Sequence, residues 1–146
     1  MTGLDALSEH QRDFLEKTPS AAMITVSADG VAKPARIGLN VVDGRLWSSG
    51  TQGRVRTRRL RRDPRCTLYV HDAGWGWLGL ETTVTLIEGD LGVKANLRLF
   101  RVSQQRPTGP LSWFGGELDE PAFLERMAQE GRLIYEFDVQ RAYGLQ

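Results

Sequence analysis

Apolar residues recur along this chain at two spacings, and the change from one to the other separates helices from strands. Leu7, Phe14 and Leu15 fall on one face of a short helix, which Ser8 and Gln11 open with a capping-box pattern. After Thr18-Pro19 the run Ala21–Ser27 is apolar and β-branched, and Ala28-Asp29-Gly30 turns it back. The returning strand, Lys33 to Val42, meets Asp43-Gly44, a pair suited to a two-residue hairpin, and a third strand runs from Arg45 to Ser49. Ser48 to Gly53 is a polar loop with two glycines, and Arg54 to Arg62 is a helix that ends near Asp63-Pro64. Cys66–His71 and Trp77–Glu88 are the next strands, the second long enough to bend or bulge. A helix over Val93–Gln104 follows, then a loop over Arg106–Gly116 that carries Trp113 and Phe114. The last helix, Glu120–Gln129, has Asp119 near its cap and Pro121 in its first turn. Arg132 to Asp138 is a final strand, with Val139 to Gln146 as a tail.

These elements amount to six or seven strands and three or four short helices, without the β-α alternation of a parallel sheet. The expectation is a mainly β protein, an antiparallel barrel with helices around its rim. A chain of 146 residues with 40% apolar and 25% charged residues has the size and composition of one globular domain. Its apolar runs are far shorter than a membrane helix needs. The first residues, with Asp5, Glu9, Asp13 and Glu16, lack the basic-then-apolar order of a secretory signal, so the expected address is cytoplasmic. The single cysteine, Cys66, sits in a strand and reads as structural.

Charge changes the picture more than composition does. The formal net charge is +1, yet the segment from Arg54 to Arg65 holds seven arginines and one aspartate, a local excess of +6. Focused positive charge calls for an anion: a phosphorylated small molecule, nucleic acid or an anionic surface. Nucleotide-loop, metalloprotease and CxxC patterns are absent, and His10 and His71 lie too far apart to read as a local metal pair. With no metal site and no nucleophile triad expected, a bound cofactor would carry any redox chemistry. The turn into the basic helix is the candidate site for it, because the first turn of a helix exposes free N–H donors. Ser48, Ser49 and Thr51 offer hydroxyls, Gly50 and Gly53 permit close approach, and Arg54 and Arg56 supply charge. Phosphate of a cofactor fits this better than nucleic acid, and Arg58, Arg59, Arg61 and Arg62 read as solvated or paired with acids.

Five segments together give a resemblance: AAMITVSADG (21–30), LWSSG (46–50), GRVRTRRLRRDPRCTLYV (53–70), GWLGLE (76–81) and RLIYEFDVQRAYGL (132–145). In their order, and above all in the arginine-rich helix followed by Asp-Pro-Arg and a strand, they resemble the FMN-binding split-barrel proteins related to pyridoxamine 5′-phosphate oxidase. The branch they are most similar to uses the deazaflavin coenzyme F420. The resemblance implies a Greek-key-like split barrel and a homodimer with cofactor sites at the subunit interface. Ser49, Arg54 and Arg56 match positions that hold the phosphate end, with Thr57 beside them. Ala35, Arg36 and Ile37 match the stretch that faces the ring system, and Trp77 an aromatic position that reaches the site from the partner chain. The implied activity is hydride transfer from reduced F420 to a small unsaturated or conjugated organic substrate, with no residue assigned as catalytic acid or base. The alternatives are an FMN-dependent enzyme like pyridoxamine 5′-phosphate oxidase and a non-catalytic cofactor-binding protein.

Overall fold

A computed structural model of the chain describes residues 3–144. The elements run α1 (Glu9–Lys17), β1 (Ser20–Val26), β2 (Ala32–Gly38), β3 (Asn40–Val42), β4 (Arg45–Thr51), α2 (Val55–Arg62), β5 (Arg65–His71) and β6 (Trp77–Ile87). They continue with α3 (Gly89–Gln104), β7 (Leu111–Trp113), β8 (Gly116–Leu118), α4 (Glu120–Gln129) and β9 (Arg132–Gly144). The capping box forms as its residues dictate: Ser8 Oγ accepts from Gln11 N–H, and the Ser8 N–H donates to Gln11 Oε1. Asp43 and Gly44 take positive φ angles of 51° and 75°, as a primed hairpin turn requires.

Seven strands form one antiparallel sheet in the order β2-β1-β5-β6-β9-β4-β3, with β7 and β8 as a separate hairpin. The two edge strands of the large sheet, β2 and β3, are joined only through Leu39, so the sheet curls back on itself as a split barrel. Alternate residues point inward: Met23, Leu46, Leu68, Leu78, Leu80, Leu133, Tyr135 and Phe137 fill the interior at 2% exposure or less. The outward face of β4 and β9 packs on α3 through Trp47, Ile134, Ala95 and Leu99. A third cluster, Leu111, Phe123 and Met127, lies under α4 and the small hairpin, with Phe100 and Trp113 edge-on at 5.0 Å. Burial of each of those large side chains contributes about 1.5–3 kcal/mol.

Several boundaries differ from the sequence reading. The returning strand is broken at Leu39 into β2 and β3, because the chain passes there from one sheet edge to the other. Helix α3 starts four residues earlier than its apolar spacing suggests, at Gly89. The segment read as a loop from Arg106 to Gly116 holds β7 and leads directly into β8. The tail is strand as far as Gly144, with Leu145 and Gln146 outside the described residues, because β6 is long enough to pair with it. The register shifts opposite Glu81 and Thr82, which pair Arg141 and Val139, so the extra residue of the bulge is Gln140 in β9 and not a residue of β6. Cys66 is buried, and burial pushes its thiol up to about 12, a structural rather than reactive thiol.

Candidate functional site

Ser48 to Thr51 belong to β4 and not to a loop, and their alternation decides where each side chain goes. In the register with β9, Ser48 pairs Tyr135 and Gly50 pairs Leu133, facing the barrel interior. Ser49 pairs Ile134 and Thr51 pairs Arg132, facing α3. Ser48 is only 2% exposed, so the two serines lie on opposite faces of the strand. Gly50 is required on the inner face, because a Cβ there would sit 2.5 Å from both Cε2 and the hydroxyl of Tyr135.

Tyr135 fills that space and organises the first turn of α2. Thr57 Oγ1 donates to the Thr51 carbonyl at 2.7 Å, so the 2.5 Å contact between Thr57 and Tyr135 has the tyrosine hydroxyl as donor. The lone pairs of that oxygen are left for the guanidinium beside it, Arg56. Arg56 Nε is buried and has no hydrogen-bond partner. Burial, opposed by Tyr135 and reinforced by the charges of Arg54 and Arg132, lowers the guanidinium from its ordinary value. Arg54 caps α2 without any side-chain hydrogen bond to the helix, so the terminus is open to a ligand. Gly53, exposed just before it, leaves space around the backbone.

On the other face Arg132, 11% exposed, meets Ser49. Its Nη1 approaches Ser49 Oγ at 3.5 Å, and Ser49 donates its proton to Asn96 Oδ1 at 2.5 Å. Asn96 is held in turn by the Gly92 carbonyl, to which its Nδ2 donates at 2.8 Å. Arg132 Nε donates to Glu130 Oε1 at 2.9 Å, and Trp113 Nε1 donates to Glu130 Oε2 at 3.0 Å. The guanidinium carbon lies 5.0 Å from the centre of the Trp113 ring. Trp113 is thus an aromatic plug behind the cationic cluster, whereas Phe114 stands 86% exposed at the hairpin tip.

Ala35 and Arg36 line a cavity of about 470 Å³ together with Ser20, Ala21, Ala22, Pro34 and His71. Strand order explains the meeting of Arg36 with His71: β1 lies between β2 and β5, and Ala22 pairs with both Arg36 and Tyr69. His71 Nδ1 lies 2.9 Å from the Asp72 carbonyl, which accepts and so places the proton there and leaves Nε2 free. Ile37 alternates inward and is buried in the core, so it offers backbone only. Trp77 is half-buried in a row of rings, 6.0 Å from Tyr69 and 6.2 Å from Tyr143. Among the described residues no three His, Cys, Asp or Glu side chains come together as metal ligands. No described helix is long and apolar enough to cross a membrane.

The remaining arginines of α2 have local partners. Arg61 pairs with Glu88 at 2.5 Å, Arg58 donates to the Gly53 carbonyl, Arg59 to Thr25 Oγ1 and Arg62 to the Val26 carbonyl. Arg65, in β5, pairs with Asp63 at 2.8 Å. Sequence reasoning found the arginines that face the turn but missed Tyr135, Asn96, Glu130 and Arg132. No local pattern marked them in advance, since β9 also carries Glu136, Asp138, Gln140 and Arg141.

A curled antiparallel sheet of seven strands with short helices around it is the architecture of a split barrel. The profile of the pyridoxamine 5′-phosphate oxidase family matches residues 7–143, and the chain belongs to that family, which holds flavin-type cofactors. Solved structures agree on the fold. A protein named F420 reductase superposes with a TM-score of 0.67 at 16% identity, over 94% of this chain and 98% of the other. The conserved hypothetical protein Rv2991 from Mycobacterium tuberculosis gives 0.70 at 20%, over 94% and 84%. HutZ, the heme storage protein from Vibrio cholerae, gives 0.65 at 11%, over 94% of each chain. A search of curated proteins finds no match.

Proposed function

We infer that this chain is an oxidoreductase that binds the deazaflavin coenzyme F420 and reduces a small unsaturated or conjugated organic substrate. The observation that carries the reading is Arg56: a guanidinium with a buried, unpartnered Nε, flanked by Arg54 and Arg132, has cationic capacity that no protein acid meets. A phosphate at the open end of α2 would meet it. Arg54, Arg56 and the N–H groups of the first α2 turn hold that phosphate, with Thr51 and Thr57 framing the turn. The ring system then lies toward Ala35 and Arg36, over the cavity that ends at His71. When bound and reduced, such a cofactor supplies a hydride. Arg36 orients the carbonyl oxygen of the acceptor and stabilises the negative charge that develops on it, while solvent returns the proton. The second protomer of a homodimer closes this open cavity. The aromatic row of Tyr69, Trp77 and Tyr143, with Trp75 91% exposed beside it, supports that reading of the face as an interface.

FMN offers a phosphate to the same helix and is the second reading, and a carrier without turnover is the third. The test is to incubate the purified protein with reduced F420 and a panel of enones, quinones and unsaturated acids, following reoxidation by absorbance. Reoxidation lost in Arg36→Gln supports the enzyme. Tight binding without reoxidation by any acceptor supports the carrier, and binding of FMN or heme in place of F420 overturns the cofactor assignment.

A further inference from the structure

Arg132 is built into the fold with an elaboration that packing alone does not require. Its charge is carried to the outer face of β4 and β9, opposite the face that holds Tyr135. There Glu130 uses one carboxylate oxygen to hold Arg132 Nε and the other to accept from the Trp113 indole, and the indole ring lies against the guanidinium. With Nε spent on Glu130 and Nη1 at the limit of hydrogen-bond range from Ser49, the outer edge of the fork keeps donors without a protein acceptor. Arg132 lines a cavity of about 240 Å³, smaller than an ordinary small-molecule pocket of roughly 300 Å³ or more. Asn40 and Ser103 also line it and carry no side-chain hydrogen bond among the described residues, while Leu99 and Phe100 form an apolar wall. A nearly buried guanidinium with a free bidentate edge, beside neutral groups with unspent hydrogen-bonding capacity, fits one oxyanion group.

We propose that Arg132 forms a second anion subsite on the α3 side of β4, which takes a phosphate or carboxylate group of the cofactor distinct from the phosphate at Arg56. Glu130 and Trp113 are its positioning residues. The proposal rests on the reading that the β4–α2 end receives an anionic cofactor, and it adds that the preferred cofactor bears two separate anionic groups. It also gives the 111–118 hairpin a purpose: Trp113 fixes the direction of the fork from behind.

The test uses the intact protein with inorganic pyrophosphate and, separately, glutarate as probes, so that phosphoryl and carboxylate recognition are told apart. Binding is measured by calorimetry, with tryptophan emission as a second signal because Trp113 stacks on the guanidinium. Arg132→Gln should weaken binding of the preferred probe by about tenfold or more. Arg132→Lys should fail to restore it, since an ammonium lacks the fork. Glu130→Gln and Trp113→Phe, which keep fold and charge at Arg132, should each weaken it several-fold and reduce the change in emission. Arg56→Gln is the control for the underlying reading. Probe affinity within twofold of wild type in Arg132→Gln and Arg132→Lys overturns the subsite even if Arg56→Gln abolishes cofactor binding. Loss in the Arg132 variants with full retention in Arg56→Gln upholds the subsite and overturns the phosphate assignment at Arg56. Failure of the wild type to bind either probe overturns the subsite.

Discussion

Replacing Arg56 by methionine should make the protein more stable and a poorer binder at once. The side chain is half-buried, and its Nε has no partner. An unsatisfied buried polar group costs about 1–3 kcal/mol, and partial exposure puts Arg56 at the lower end of that range. Methionine keeps the apolar stem in place and adapts to irregular space, so little packing is lost. The Tyr135 hydroxyl keeps its bond to Thr57 but loses the guanidinium at its lone pairs, which holds the net gain to the low end of that range. A gain of about 1 kcal/mol corresponds to a rise in Tm of roughly 2–4 °C for a chain of this size. In the same variant the charge-assisted hydrogen bonds to a ligand phosphate disappear, a loss of about 1.5–3 kcal/mol, or roughly 10- to 150-fold in Kd. Differential scanning fluorimetry with and without F420 and FMN reads both quantities. A Tm lowered by several degrees together with unchanged affinity would refute the reasoning, since Arg56 would then be a structural cation.

Gly50→Ala drives a methyl group into the Tyr135 ring; overpacking of about 1–3 kcal/mol should lower Tm by roughly 2–12 °C and displace Tyr135 from Thr57, read by near-ultraviolet circular dichroism. Phe114 takes φ +46° beside Gly115 at +82°, a pair of angles that suits Asn-Gly, so Phe114→Asn should raise Tm by a few degrees, about 1 kcal/mol. Asp63 is held down to about 2 by Arg65, below its ordinary 3.8. Its folded value is the lower one, so the stability it contributes is present above about pH 4 and is lost as pH falls toward 2. Urea melts of wild type and Arg65→Ala should therefore differ near neutrality and converge at about pH 2.

How much of this was readable in advance depends on whether a feature is local. The capping box of α1, the Asp43-Gly44 turn and the basic helix each lie within a few residues, and sequence alone places them. Ser48 to Thr51 read as loop because serine and glycine are poor strand formers on their own, whereas pairing with β9 from Tyr135 back to Arg132 holds them extended. Tyr135 and Thr57 are 78 residues apart, and Ser49 and Arg132 are 83 apart. Their meeting is created by the β4–β9 register, which no local spacing encodes. Trp113 illustrates the same point: it reads only as part of a loop, and the contacts with Phe100, Phe123 and Arg132 make it a packed plug.

The central claim is that an anionic deazaflavin cofactor binds at Arg56. It is tested most directly by titrating the purified wild type and Arg56→Ala with oxidised F420 and, separately, with FMN, following the emission of the four tryptophans. The account predicts saturable quenching by F420 at lower concentration than by FMN, with the F420 response weakened at least about tenfold in Arg56→Ala. Equal F420 affinity in the two proteins, or no F420 binding by the wild type, would contradict it.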